Sequence, residues 1–166
     1  HTGTSYLAIC QAVSRLQIRA KGFAVDTWEG DEHTGFSGPE VLAELASHHD
    51  PRYGAFSRLV QSTFDDAVTG FEDGSIDLLH IDGLHTYDAV RHDFDTWLPK
   101  LSKRAIVLLH DTNMRERGHG VHRLWTELRA EHPAFGFAHA HGLGVLGVGD
   151  TLPIAVSALF EADSDR

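Results

Sequence analysis

Cysteine, methionine and positive charge are the scarce components of this chain. It holds one Cys and one Met in 166 residues, and 14 Lys and Arg against 24 Asp and Glu, a formal net charge of −10. A single cysteine, Cys10, excludes an internal disulfide and fits a reducing compartment. It follows Tyr6, Leu7, Ala8 and Ile9 and reads as a small core residue. The shortage of cations argues against nucleic acid or an anionic membrane as partner, because both need a basic surface. No apolar run approaches the ~20 residues that span a bilayer. The start lacks the basic and then apolar pattern of a secretory signal, so the expected compartment is the cytoplasm. An initial Met is also missing. His1-Thr2-Gly3-Thr4-Ser5 reads as a loop that should follow something, as though the chain begins inside a domain.

What is present suffices for one globular domain, with an apolar fraction of 42%. The 13 histidines are many for the length, but they are scattered along the sequence, and a metal-storage tract would need them clustered. His48-His49 and His132 sit among polar residues and read as solvated surface.

Apolar periodicity predicts a helix through Leu7, Ile9, Val13 and Leu16, capped by Thr4 or Ser5. A short strand over Phe23 to Asp26 follows, then a Gly-rich and acidic loop from Trp28 to Pro39. A helix over Pro39 to His48 is expected to stop at Asp50-Pro51. Phe56 to Gln61 is ambiguous between strand and helix end, and Thr63 to Phe71 suggests a short helix. Ile76 to Ile81 is a strand, Thr86 to Leu98 an amphipathic helix, Ala105 to Leu109 a second apolar strand, and Val121 to Ala130 a helix. Phe135 to His139 and Gly144 to Gly149 form a hairpin. Residues 151–166 read as a C-terminal tail, polar and frayed at its end. Alternating strands and helices with unbroken apolar strands imply an α/β fold, a doubly wound and mostly parallel sheet closed by an antiparallel hairpin.

In such sheets ligands bind beyond the carboxyl ends of the strands. Three expected strands end in an acid: Asp26, Asp82 and Asp111. Each acid could merely cap the next turn; three of three points towards a shared site. His85 follows Asp82 by three residues and His110 precedes Asp111. An unperturbed histidine, with a pKa near ~6.5, suits removal of a hydroxyl proton at neutral pH, which makes His85 the first candidate base and His110 the second. His80, inside the apolar strand, reads as a satisfied core histidine, and His33 as part of a loop able to reach over the site.

The run Ile76-Asp77-Leu78-Leu79-His80-Ile81-Asp82-Gly83-Leu84-His85-Thr86-Tyr87-Asp88-Ala89-Val90, with Asp93, Trp97-Leu98-Pro99-Lys100-Leu101 and Val107-Leu108-Leu109-His110-Asp111-Thr112, resembles the class I S-adenosylmethionine-dependent methyltransferases of the methyltransferase 24 family. His1 to Leu7 resembles the tail of that family's glycine-rich cofactor loop, and Ala24 to Asp31 its second strand and following loop. The resemblance covers about residues 1–149. It implies a Rossmann-like, seven-stranded sheet in residues 1–150 whose first strand lies before His1.

It also implies roles. Gly3 would let the backbone approach the methionine part of S-adenosylmethionine, and Asp26 would accept from the ribose hydroxyls, as the same residue would for a nicotinamide cofactor. Ser62, Thr63 and Phe64 follow the third strand, where the adenine is contacted. Asp82 is a further cofactor neighbour. Asp82 and Asp111 could hold Mg²⁺ or another divalent cation that lowers the pKa of an acceptor hydroxyl. The sugar-modifying enzymes have a second acid where this chain has His110, and histidine favours a softer ion. Trp28 and Tyr87 are either cofactor contacts or core.

The expected reaction is O-methylation of a small acceptor such as a sugar or glycosylated metabolite. The expected partners are that small molecule, a fused or neighbouring glycosyltransferase, or a second copy of the chain. Three rivals remain: a non-catalytic methyltransferase-like domain accompanying a glycosyltransferase, a nicotinamide-dependent oxidoreductase, and a metal hydrolase built from Asp82, His85, His110 and Asp111.

Overall fold

The computed structural model describes residues 2–31, 35–116 and 118–164; His33 lies outside them. The chain divides into two compact units, residues 1–67 and 68–166.

In the first unit, α1 (Thr4–Arg15) leads to β1 (Gly22–Asp26), a two-stranded ribbon of β2 (Gly30–Asp31) and β3 (Gly35–Phe36), α2 (Glu40–Tyr53), β4 (Ser57–Gln61) and the single turn α3 (Phe64–Ala67). β1 and β4 pair in parallel from Gly22↔Ser57 to Asp26↔Gln61, which settles the ambiguous 56–61 segment as a strand. α2 does not stop at Asp50-Pro51. A proline inside a helix loses the N–H that would reach back one turn and crowds the carbonyl there, but α2 tolerates this in its last turn: the helix continues to Tyr53, and the Gly54 N–H donates to the Asp50 carbonyl.

A buried polar knot joins α1, α2 and β4. His49 is wholly buried, not solvated as its polar sequence neighbours suggested. Its Nδ1 lies 2.7 Å from Asp50 Oδ1 and its Nε2 2.7 Å from Ser57 Oγ. Asp50 can only accept, so Nδ1 donates to it and Nε2 accepts from the Ser57 hydroxyl. The Tyr6 hydroxyl and, more weakly, the Cys10 thiol then donate to Ser57 Oγ. The order Ser–His–Asp is that of a hydrolase relay, but Ser57 is 1% exposed, so no substrate reaches it and the knot is structural.

In the second unit, the 3₁₀ turn Val68–Gly70 precedes β5 (Ile76–Ile81), α4 (Tyr87–Trp97), the 3₁₀ turn Leu98–Lys100, β6 (Leu101–His110), α5 (Val121–Glu131), β7 (Ala134–Phe137), β8 (Leu143–Gly147) and α6 (Ile154–Ser164). The sheet order is β5-β6-β8-β7, with β5 and β6 parallel and the hairpin strands antiparallel. This is the expected α/β class with its C-terminal hairpin. The ladders among the described residues form separate two- and four-stranded sheets, and within their own units β1 and β5 each have a ladder partner on one edge only.

β6 begins four residues earlier than apolarity indicated. The polar stretch Ser102 to Arg104 is held in the strand because Ser102 Oγ donates to Asp77 (2.6 Å) and the Arg104 guanidinium sits 3.3 Å from the same carboxylate. One core cluster packs Val90 and Phe94 of α4 and Leu124, Trp125 and Leu128 of α5 against Val107, Leu109 and Leu146 of the sheet. A second places Phe160 of α6 on Ile106 and Val145, so the segment read as a tail is largely a docked helix. Tyr87 belongs to the first cluster, with its hydroxyl donating to Glu127, and Trp28 is buried.

Two outcomes follow from the knot. Ser57→Ala strands Tyr6 and His49 in the interior, and urea denaturation should show a loss of about 1–3 kcal/mol. Burial pushes the Tyr6 phenol well above its ordinary 10.0. The native state therefore keeps a proton that the unfolded chain releases above pH 10, and stability falls as pH rises beyond that point. Urea midpoints measured on both sides of pH 10 should show this fall, and Tyr6→Phe should flatten it.

Candidate functional site

Asp26 is the last residue of β1, whereas Asp111 lies one residue beyond β6. Asp26 Oδ1 accepts from the Trp28 N–H (2.8 Å), and its carbonyl accepts from Ser62 N–H (3.0 Å). The first unit thus brings Asp26 and Ser62 together at the ends of β1 and β4. Thr63 instead caps α3, its Oγ1 bonding Asp66 at both side chain and amide. Gly3 precedes α1 with φ 74°, a left-handed conformation open to glycine. A Cβ there would lie 2.6 Å from Leu45 Cδ1, so glycine is what lets the backbone approach this close. Of the four residues given cofactor roles in this unit, Gly3 approaches Leu45, and Asp26, Ser62 and Thr63 each have a local partner.

The second unit assembles the chemistry around Asp111. β6 ends at His110, and Asp111 takes a left-handed φ of 61°, rare for a residue with a Cβ. That kink turns its carboxylate inward, with a side chain 8% exposed. Two loops are tied to it. The Asp111 N–H donates to Gly142 O (3.1 Å) and the Asn113 N–H to His141 O (2.8 Å), which fixes the β7–β8 turn. The Gly120 N–H donates to His85 O (2.7 Å), which fixes the loop before α5 against the loop after β5.

His85 and His110 lie between the two carboxylates. His85 Nε2 is 3.4 Å from Asp82 Oδ1 and 3.3 Å from Asp111 Oδ2. His110 Nδ1 is 3.1 Å from Asp82 Oδ1 and 2.9 Å from Asp111 Oδ1. Asp82 and His110 are both a little over a third exposed and form the mouth, while His85 is 11% exposed and lies deeper. All four residues singled out from the sequence are therefore brought together.

Two more histidines join them that spacing could not reveal. His119 Nε2 lies 3.7 Å from Asp111 Oδ2, its ring stacked on His85 at 5.0 Å. His141 Nδ1 lies 3.4 Å from Asp111 Oδ1. The histidines scattered along the sequence are thus partly gathered by the fold: four of them surround one carboxylate. The available hint was glycine, because Gly120 and Gly142 adjoin His119 and His141.

Charge and burial tune the pair at the mouth. Burial acts to raise the Asp82 carboxyl, but hydrogen bonds from His110 and His85 outweigh it and hold the acid well below its ordinary range. Asp82 in turn raises His110 above 6.5, against the opposing effect of burial. His80 is lowered, mainly by burial, and its Nε2 makes no hydrogen bond, so it is not the satisfied core histidine that the strand suggested.

Among the described residues, two groups of side chains are close enough to hold a metal ion, and they share His85: Asp82–His85–His110 and His85–Asp111–His119. The two carboxylates thus sit in different groups, each with two imidazoles. This donor set suits borderline divalent ions better than Mg²⁺, which prefers oxygen.

The family model described as a methyltransferase domain, methyltransferase 24, matches residues 1–112. The chain belongs to that family, a class I S-adenosylmethionine-dependent methyltransferase family. Over 165 residues this methyltransferase 24 chain is 46% identical to the uncharacterized protein y4gI of Sinorhizobium fredii (strain NBRC 101917 / NGR234). That match covers 99% of the chain and 18% of y4gI, so the chain spans under a fifth of the relative's length. Solved structures share the fold at low identity. An O-methyltransferase family protein from Burkholderia thailandensis has TM-score 0.62 at 14% identity, over 90% of this chain and 49% of that one. A methyltransferase from Geobacter sulfurreducens has 0.59 at 15%, over 88% and 65%. The O-methyltransferase TomG from Streptomyces achromogenes, in complex with SAM, has 0.55 at 12%, over 85% and 78%. No helix among the described residues is long and apolar enough to cross a membrane.

Gly120 tests the assembly. A Cβ there would collide with the Tyr87 backbone nitrogen at the start of α4. Gly120→Ala should cost about 1–3 kcal/mol by thermal or urea unfolding, and NMR should show the His119 ring signals displaced along with those of His85.

Proposed function

We propose that this methyltransferase 24 chain transfers a methyl group from S-adenosylmethionine to a hydroxyl of a small acceptor, such as a sugar or glycosylated metabolite. The observation that carries this reading is the placement of His85 and His110 between Asp82 and Asp111 at the carboxyl ends of β5 and β6. Nitrogen bases steered by carboxylates suit removal of a hydroxyl proton. The O-methyltransferase neighbours, and the SAM held by one of them, support hydroxyl chemistry and this cofactor.

When bound, S-adenosylmethionine supplies an electrophilic methyl group for in-line displacement. The chain's own task is positioning and proton handling. Asp26 would accept from the ribose hydroxyls, and Gly3 would give the cofactor's methionine end access to the backbone before α1. Asp82 and His110, at the mouth, meet the acceptor. Asp82 with His85 and His110, or Asp111 with His85 and His119, would hold a divalent cation that makes the hydroxyl more acidic. Family membership sets aside the nicotinamide-dependent alternative.

The test is calorimetric titration of S-adenosylhomocysteine into the full-length protein that carries this chain, followed by transfer of labelled methyl to glycosylated acceptors. Binding and transfer are expected. Asp111→Ala should abolish turnover while leaving S-adenosylhomocysteine binding in place, and unimpaired turnover would remove Asp111 from the site. A folded protein that binds no S-adenosylhomocysteine would leave the non-catalytic reading standing.

A further inference from the structure

The sheet of the second unit carries a row of side chains that leads away from the groups handling protons. His110 of β6 pairs with Leu143 of β8, and Leu143 pairs in turn with Phe137 of β7. Residues directly opposite each other in a ladder point to the same face. The row His110–Leu143–Phe137 therefore crosses the sheet on one face and starts at the mouth of the site. The glycines between these residues mark the other face: a Cβ at Gly136 or Gly144 would meet the Trp125 ring, which belongs to the core packed against α5.

α6 covers the neighbouring row on the same face as Phe137, where Phe160 and its neighbours pack on Ile106, Leu108, Val145 and Phe135. One pleat further towards the site, Leu143 is left half-buried and Phe137 38% exposed. Two edge contacts set the tilt of the Phe137 ring, one with Phe135 at 4.9 Å and 72° and one with His139 at 6.2 Å and 76°. A lone exposed aromatic on an edge strand is ordinary. A held aromatic at the end of an apolar strip that continues into a polar site has the make-up of a ligand surface, apolar for most of its length with a few polar groups fixing orientation. Here the polar end is Asp82 and His110, 3.1 Å apart. With ~4.8 Å between neighbouring strands, the row spans roughly 10 Å from β6 to β7, the reach of two linked rings.

We propose that Leu143 and Phe137 bind the aglycone of the acceptor, so that the acceptor is a glycoside whose sugar hydroxyl lies at His110 and whose flat apolar aglycone stacks on Phe137. This rests on the transferase reading and narrows it from sugars in general to glycosides. A free oligosaccharide would carry hydroxyls along its whole length and leave some of them unpaired against Leu143. An aromatic aglycone instead gains from desolvation of both surfaces and from ring contact with Phe137. Phe137 touches the acceptor but not the reacting atoms, and its part is to select.

The experiment uses the full-length protein that carries this chain, with and without S-adenosylhomocysteine, and compares p-nitrophenyl glycosides with methyl glycosides of the same sugars. Calorimetry should show the aryl glycosides bound about 10-fold more tightly, and saturation-transfer NMR should mark their aryl protons. Phe137→Ala should erase most of that preference, while Phe137→Tyr, which keeps the ring, should retain it. Leu98→Ala removes an exposed apolar side chain before the other end of β6 and should also retain it, which separates the strip from general adhesion. Equal affinity for the two kinds of glycoside, binding of neither, or a preference that survives Phe137→Ala would each overturn the strip. A protein that binds S-adenosylhomocysteine and methylates both kinds alike loses the strip alone. One that prefers aryl glycosides but neither binds S-adenosylhomocysteine nor methylates them loses the transferase reading alone.

Discussion

The second unit is organised around one buried carboxylate. Asp111 follows a ten-residue strand whose second half is largely buried, and its left-handed backbone turns the acid towards the interior. A charge in that position has to be compensated locally, because desolvating it is expensive. The compensation comes from three chain segments that are far apart in sequence, carrying His85, His119 and His141, and from the adjoining His110. Removing the carboxylate would leave those imidazoles with no common reason to converge.

Convergence is enforced by backbone rather than by the imidazoles themselves. Main-chain hydrogen bonds from Asp111, Asn113 and Gly120 to the loops opposite fix where each histidine begins, and ring positions follow. Gly120 and Gly142 both sit where a side chain would strike a neighbour, Tyr87 for one and Thr112 for the other. Packing between α4, α5 and the sheet then holds the frame that these loops decorate. The site is built by close approach first and by charge second.

How much of this could be read from the sequence varies with the range of the interaction. The strands Phe23–Asp26 and Ile76–Ile81, the helix after Thr86 and the hairpin were legible because apolar periodicity is local. Asp82, His85, His110 and Asp111 were legible because they follow or end such strands. His119 and His141 were not, since each sits in a polar loop and reaches Asp111 only through backbone bonds across space. His49 was misread for the same reason: Ser57 on β4 and the Tyr6 ring stacked on it, neither of them a sequence neighbour, surround it. The early start of β6 depended on Asp77 in the adjoining strand, and α6 on a groove beside Ile106 and Val145. The candidate cofactor residues divide similarly: Asp26 and Gly3 are marked by strand end and turn and Thr63 by its capping spacing to Asp66, while the bond from Ser62 to Asp26 crosses between strands.

In the first unit, the hydroxyl of Ser57 is shared by a tyrosine on α1 and a histidine on α2 while its own residue lies in β4. Neither helix can lift from the strand without breaking that shared bond, and breaking it unsatisfies groups on the other helix as well. Amide protons of α1 and α2 should therefore exchange with solvent in a single concerted opening, with β4 as the last segment to give way. The first sixty residues would then behave as one foldon whose integrity hangs on a hydroxyl that never meets water.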